Sequence, residues 1–519
     1  MHKWLTHPAM IYLSLVLAFF LNLWGLPLFD VDEGAFSEAT REMLASGNFA
    51  ATYLDGLPRY DKPIFSYWCQ AISASMFGIN EFSLRLPSAI AACLWMWACY
   101  CFIREQNDKH SAVLVVLVMC HTLWIGLIGR AAIADAWLNL FLSLCMFDIW
   151  RYWQQPRQTV IVRVFVWMGL GVLTKGPVAI LIPLLTSGIF FISKGQGRLW
   201  LLAIFNPLGW AAVLLVLSPW LYLVYQDQGL AFFQGFLIDH NLNRFQHTKE
   251  GHGGQLYYYF LVLPLILLPF SGALVGTIKR VKLLWQSPLD QFLMLWFLIV
   301  FALVSVSQTQ LPHYVVYGVT GLLLVMVRHR QVVFQPWSAW LPVLFWLLML
   351  ALPQIVMTVA NNTHHAYEKA LLSRTADIFS TEYYLLCALC LVFALFLASR
   401  SKWPALTRLV FLGALQSLFV FNVLLVRVAE LQQVPVKEAA IFARSYPADA
   451  VVSFKINMPS FSVYRQHITP EREALPGDLI FTRADRFEQL QHAFPNESLT
   501  IVFSKGGILL VERPHASNS

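Results

Sequence analysis

The run AMIYLSLVLAFFLNLWGLPLF (residues 9–29), followed at once by DVDE (residues 30–33), decides the fold class. About 20 uncharged apolar residues suffice for a helix to cross a bilayer. Lys3 precedes the run and no small-residue cleavage site follows it, so it reads as a retained first membrane helix and not as a secretory signal. The carboxylates of Asp30, Asp32 and Glu33 mark where the chain re-enters water.

The same grammar recurs along the chain. About thirteen apolar stretches are long enough, or nearly so, to cross, the last of them at 409–426. The whole sequence of 519 residues is 58% hydrophobic and only 13% charged. A soluble domain carries about a quarter charged residues, and it could not hide this much apolar surface. The 19 Trp fit the taste of indole for the membrane interface. The net charge of +7 does not point to nucleic acid, because Lys and Arg are scattered between apolar stretches and not gathered on one face. The eight Cys lie almost all inside those stretches, so no disulfide framework is readable, and Cys387-x-x-Cys390 reads as packing.

Cations concentrate in alternate loops: Arg104/Lys109, Arg151/Arg157/Arg163, Lys194/Arg198, Lys279/Arg280/Lys282, Arg328/Arg330 and Arg400/Lys402/Arg408. The positive-inside rule then places the N-terminus in the cytoplasm and, with an odd number of crossings, the C-terminus outside. The expected fold is an all-α polytopic membrane protein over residues 1–430 with a small soluble α/β domain over 431–519. Two outer loops are long, 30–85 and 226–256. The first carries apolar-periodic segments, Ser37 to Leu44 and Ile64 to Phe77, that predict interfacial helices separated by Gly47, Asp55-Gly56 and Pro58. In the terminal domain, strand-like runs at 451–454, 479–481, 499–503 and 508–511 alternate with helix-like 435–445 and 485–493, and Lys505-Gly506-Gly507 predicts a hairpin turn.

The outer loops also hold the candidate chemistry. Asp32 and Glu33 could deprotonate an acceptor or hold a metal, although a solvated acidic turn has the same composition. Arg59 and Lys62 flank Asp61 where a cation could meet a lipid phosphate. Arg130 and Asp135 lie between two apolar stretches and could pair with each other, while Lys175 is the one charge in a tight Gly-Pro break. The second long loop offers His240, Arg244, His247 and His252. An Arg fork suits a phosphate, and the histidines with Asp61 could form a zinc site. Ser305 to Tyr314, with His313, is polar and uncharged, suited to a hydroxylated ligand. No one of these features decides a function. Their convergence on one side of the membrane describes a cavity for a lipid-phosphate-linked substrate.

Several motifs, in order, resemble the bacterial aminoarabinose transferase family of the GT-C superfamily, which also contains protein O-mannosyltransferases and oligosaccharyltransferases. They are VDEGAFSEATREMLASGN (31–48), DGLPRYDKP (55–63), FSLRLPS (82–88), LTKGP (173–177), SPW (218–220), NLNRF (241–245) and LPHY (311–314). The resemblance covers about residues 10 to 330. It implies a GT-C fold of about thirteen membrane helices and transfer of a sugar from undecaprenyl phosphate at the periplasmic face of the bacterial inner membrane. The implied acceptor is lipid A or another lipopolysaccharide or envelope glycolipid. Asp32 matches the carboxylate regarded as catalytic, with Glu33 beside it, and Asp135 matches a second acid. Lys62 and Arg244 match the pair expected to hold the carrier phosphate, with Arg59 adjacent, and Arg130, Lys175, His313 and Tyr314 fall around the same cavity. No cofactor is required, but a structural zinc or other divalent ion would fall near Asp61 and His240. The chain departs from the family at Lys62-Pro63-Ile64-Phe65, where members often read Lys-Pro-Pro-Leu, and at Asp61, where many carry an aromatic. A protein O-glycosyltransferase and a flippase of lipid-linked sugars remain open alternatives.

Overall fold

The computed structural model describes residues 7–242 and 255–515. Arg244, His247 and His252 lie outside the described residues. The predicted apolar stretches are mainly helical, as backbone groups away from water require, but the first is helical only over Pro8–Leu15 and Val16–Phe20, and residues 21–29 continue as turns, bends and extended chain. Among the described residues, seven helices are long and apolar enough to cross a membrane. The sharply bent pair Tyr258–Ile266 and Ser271–Lys279 makes an eighth if it forms one span. Four further helices are apolar but shorter, among them Lys109–Cys120 and Val178–Ser193. The helix Asp135–Gln154 carries Asp135, Asp148 and Arg151. Thirteen crossings are therefore not reached by length and apolarity alone.

Burial separates the helices by position. In Lys109–Cys120 each residue from Ser111 onward is buried, so this short helix is central. The helix Pro207–Phe233 leaves Leu214, Leu215 and Tyr222 exposed and has few buried positions, the signature of a lipid-facing rim. Gly229, with a φ of 61°, breaks it. The chain then continues as a π-helical segment Gln234–Leu242, so the first half of the expected second outer loop is helical.

The first outer loop folds into two helices and a hairpin. The helix Asp32–Ser46 begins five residues earlier than its periodicity predicted and stops at Gly47 in the left-handed region. Asp55 and Gly56, both with positive φ, turn the two-residue strands Tyr53–Leu54 and Leu57–Pro58. The helix Phe65–Phe77 shows Ile72, Met76 and Phe77 at the surface, as an interfacial helix should. The Asp32 helix differs, because Glu33 to Met43 are all buried. It packs between the Phe65–Phe77 helix and a short helix, Ser460–Arg465, of the C-terminal part.

The C-terminal part forms a four-stranded sheet of Val451–Ser453, Leu479–Arg483, Ile508–Glu512 and Thr500–Lys505, in that spatial order. The first pair is parallel and the others antiparallel. Gly506 and Gly507, at positive φ, make the predicted hairpin turn. Side-chain alternation divides two small cores. Leu479, Phe481 and Leu510 face Val436, Ala440 and Phe461, whereas Ile480, Leu509 and Val511 face Leu490.

Candidate active site

A cavity of about 660 Å³ opens between the first outer loop, the ends of the membrane helices and the sheet domain. Asp32, Arg59, Asp61, Lys62, Asp135, Lys175, His240, His313 and Tyr314 all line it. The sequence candidates from six separate stretches thus meet in one place. Glycines permit the approach. A Cβ on Gly235 would sit 2.7 Å from Tyr60, and one on Gly176, whose φ is 91°, would sit 2.5 Å from Phe236. Those contacts let the Gln234–Leu242 segment close over residues 60–62 and 175–177.

Asp32 is the first residue of its helix and is exposed to the cavity. Among the described residues it makes no hydrogen bond or ion pair, although its charge bears on Arg59, Tyr67 and His313. The neighbouring carboxylate is spent. Arg85 grips Glu33 with Nε to Oε1 at 2.8 Å and Nη2 to Oε2 at 2.6 Å. The backbone N–H groups of Ala132 and Phe29 donate to the same carboxylate at 2.7 and 2.9 Å. Burial alone would raise the Glu33 pKa, but Arg85 and these donors hold it below the usual range. Glu33 thereby ties the first helix end, the Asp32 helix and the Ala132 turn together, and leaves Asp32 as the acid available to a ligand.

Arg59, Asp61 and Lys62 form a compact cationic group. The Arg59 guanidinium donates to Asp61 Oδ1 at 2.6 Å and Oδ2 at 2.9 Å, and to the carbonyl of Ala35 at 2.6 Å. It also stacks over Phe36, with 5.3 Å to the ring centroid. Lys62 Nζ reaches Asp61 Oδ2 at 3.2 Å. Burial opposes the Asp61 charge, yet Arg59 and then Lys62 hold its carboxyl far below the ordinary value. One carboxylate against two cations leaves the group positive. Such a set fits an anion and not a metal, since both Asp61 oxygens are already occupied by cations. A different acidic cluster, Glu38, Glu42 and Asp55, could offer one oxygen each to an ion. There Arg41 holds Glu38 through Nε and Nη2, and Ser462 Oγ donates to Asp55.

On the opposite wall, Asp135 accepts from Lys175 Nζ at 2.8 Å and from Tyr317 O–H at 2.6 Å, with His313 Nε2 at 3.7 Å. Lys175 Nζ lies 5.4 Å from the centroids of both Tyr314 and Tyr317. Asp135 therefore pairs with Lys175 and not, as the sequence allowed, with Arg130. Arg130 turns the other way, donates to the carbonyl of Leu21 and lies 4.1 Å from the Phe421 ring centroid. Its Nη1 has no partner among the described residues.

Two annexes open from this cavity. One of about 190 Å³ runs from Lys62 and Tyr314 between Val178 and Ile182 on one helix and Val300, Leu303 and Val304 on another. The other, about 380 Å³, lies beyond Asp30–Asp32 and is walled by Trp124, Leu127, Ile128 and Leu425 with Arg85 and Arg130. Two residues of the site carried no usable signal in the sequence: Tyr317 is a helical Tyr one turn after His313, and Asn457 lines the cavity from the sheet domain. Asp30, conspicuous as one of three clustered acids, is tied to Ser460, whose backbone N–H donates at 2.9 Å and whose hydroxyl also donates.

The profile described as dolichyl-phosphate-mannose-protein mannosyltransferase matches residues 61–223. The undecaprenyl phosphate-alpha-4-amino-4-deoxy-L-arabinose arabinosyl transferase of Edwardsiella ictaluri is 26% identical over 325 residues, 61% of this chain and 58% of its own length. Its counterpart from Aeromonas salmonicida is 28% identical over 374 residues, 68% of this chain and 66% of its own. The match spans less than two thirds of either relative. Among solved structures, ArnT from Cupriavidus metallidurans, crystallised with undecaprenyl phosphate, superposes with a TM-score of 0.79 at 18% identity, covering 97% of both chains. The same protein in the apo state gives the same values. In sequence, then, the chain is similar to aminoarabinose transferases, and in fold it is a multi-pass membrane protein with the architecture of that solved ArnT.

Proposed function

We propose that the protein transfers a sugar from an undecaprenyl-phosphate-linked donor to a phosphorylated envelope lipid of the lipid A type, at the periplasmic face of the bacterial inner membrane. One observation carries the reading. An uncommitted carboxylate, Asp32, faces a cavity whose wall joins a net-positive anion site to an apolar groove. A polyprenyl phosphate is the ligand that needs both. The relatives named for such a donor, and the fold shared with a protein crystallised with the carrier lipid, support it.

In this mechanism the prenyl tail lies between Val178, Ile182 and Val300, and the phosphate rests on Lys62 and Arg59. These cations stabilise charge on the phosphate as the glycosidic bond breaks. Asp135, fixed by Lys175 and Tyr317, orients sugar hydroxyls. The acceptor enters by the annex past Asp30–Asp32, where Arg130 attracts its phosphate and Trp124, Leu127 and Leu425 receive its acyl chains. Asp32 removes a proton from an acceptor hydroxyl or positions an acceptor phosphate, and a single displacement inverts the anomeric centre. Glu33 is a positioning residue. We assign residues 1–430 to the membrane catalytic unit and 431–519 to an outer domain, with thirteen crossings, the N-terminus inside and the C-terminus outside.

The test is transfer in proteoliposomes from radiolabelled undecaprenyl-phosphate sugars to lipid A, with mass spectrometry of the product. Sugar-modified lipid that disappears with Asp32→Asn supports the reading. Label recovered on peptide acceptors alone would make the protein an O-glycosyltransferase. Label that only changes leaflet would make it a flippase.

A further inference from the structure

A second polar pocket lies on the face opposite the cavity. The helix Glu81–Gln106 starts where Arg85 holds Glu33 and ends just before His110, the second residue of the helix Lys109–Cys120, and the helix Val316–Arg328 starts beside His313 and ends just before Arg330. From Ala405 the chain runs helically the other way, to Leu425 in the second annex. The three far ends enclose a space of about 670 Å³ lined by His110, Arg330, Lys402, Trp403 and Arg408.

No Asp or Glu is among the described residues lining it. Asp108, two residues before His110, accepts from the N–H and the hydroxyl of Ser111, both at 2.8 Å, and its charge also bears on Arg330, though it does not line the pocket. Arg330 Nη1 donates to the Ser111 hydroxyl at 3.0 Å. Arg408 is only 2% exposed. Its Nη1 and Nη2 donate to the carbonyls of Ala398 and Pro336 at 2.6 and 3.1 Å, and its Nε has no partner among the described residues. Neither Arg330, Lys402 nor Arg408 pairs with a carboxylate among the described residues. A buried guanidinium with carbonyl partners alone keeps its full charge uncompensated, which an anion would relieve. The remaining wall mixes apolar Phe334 and Leu406 with polar Gln331, Gln335 and Ser401, and the exposed Trp337 follows Pro336 of the lining by one residue.

We propose that this pocket binds the phosphate headgroup of an anionic phospholipid from the leaflet at that face. Cations supply the phosphate site, and Phe334, Trp403 and Leu406 supply the apolar contact that a free anion would not need. The proposal stands apart from the transferase reading. Its test uses the full-length protein in neutral detergent, heated with phosphatidylglycerol, cardiolipin, phosphatidylcholine or inorganic phosphate while Trp fluorescence reports unfolding. Phosphatidylglycerol and cardiolipin are expected to raise Tm where phosphatidylcholine does not. In the double variant Arg330→Gln/Lys402→Gln, whose side chains are half-buried and exposed, the half-saturating phosphatidylglycerol concentration should rise by roughly tenfold or more, for the loss of two cations near a phosphate. Arg408→Gln should do the same if it folds, and the double variant decides if it does not. Equal stabilisation by phosphatidylcholine, an unchanged half-saturation in the double variant, or a full shift with inorganic phosphate alone would each overturn it.

Discussion

At the scale of single residues, the two adjacent acids have opposite tasks, and a helix explains why. Successive side chains on an α-helix point about 100° apart, so Asp32 meets the cavity while Glu33 is driven into the core against Arg85. Asp32→Asn should lower kcat for transfer by about 10²–10⁴, the usual worth of a positioned base, with carrier-lipid affinity unchanged by fluorescence titration. Glu33→Gln leaves Arg85 buried without its counter-charge, a change that typically costs about 3–5 kcal/mol. Its signature should be a lower Tm and lower yield, with residual kcat in the molecules that fold. Equal loss of kcat and undiminished Tm in both variants would contradict this division. In the sequence, Asp32, Asp135 and Lys62 were legible because charge is rare here and therefore conspicuous. The distinction between Asp32 and Glu33 was not, since composition carries no helix phase. Nor was the partner of Asp135, because the Ala131–Ala134 turn sends Arg130 and Asp135 to different chambers.

At the scale of elements, the site depends on how the Ser460–Arg465 helix meets the first outer loop. Ser460 holds Asp30, Ser462 donates to Asp55 at 2.6 Å, and the Tyr464 hydroxyl donates to Glu81 at 3.0 Å and accepts the N–H of Leu28 at 2.6 Å. Burial pushes Asp30 up to about 7, with the charges of Glu33 and Asp55 adding to it and the Ser460 hydrogen bonds opposing. A folded-state pKa above the unfolded one means that protonation favours the docked form. Asp30 therefore contributes its stability in full below the ordinary carboxylate range and loses it as pH rises through about 7. Hydrogen exchange of residues 460–465, corrected for intrinsic rates, should show weaker protection above that pH than below it, and Asp30→Asn should flatten the difference. Gly176 offers a second test. Ala there would combine a φ of 91° with a Cβ 2.5 Å from Phe236, so Gly176→Ala should displace Lys175 and the Gln234–Leu242 segment, lowering activity more than Tm. The Phe65–Phe77 helix and the four strands were readable from periodicity. The Ser460 helix was not, because six residues are too few to show a period and its reason for being helical is tertiary.

At the scale of the whole molecule, the open quantity is the path of the chain through the membrane. Apolar length alone admits seven or eight spans, whereas alternation of cationic loops argues for thirteen. The two criteria diverge for a physical reason. Helices such as Lys109–Cys120 are surrounded by protein, so they need neither full bilayer length nor the apolarity that lipid demands, while Asp135–Gln154 can carry charges because Lys175, Arg151 and Arg163 neutralise them inside the protein. A lipid-facing helix such as Pro207–Phe233 enjoys neither freedom and passes on length, although buried helices such as Glu81–Gln106 pass as well. The parity of the count then has a direct readout. Glu81–Gln106 and Val316–Arg328 run from the cavity to the cationic face, so the cavity and the sheet domain share one side and the cationic loops the other. A periplasm-dependent reporter such as alkaline phosphatase, fused after residue 515, should be active, and one fused in the Arg400–Pro404 loop should be silent. An inactive C-terminal fusion beside an active loop fusion would invert the molecule. The cavity would then open to the cytoplasm and the proposed acceptor chemistry would fall with it.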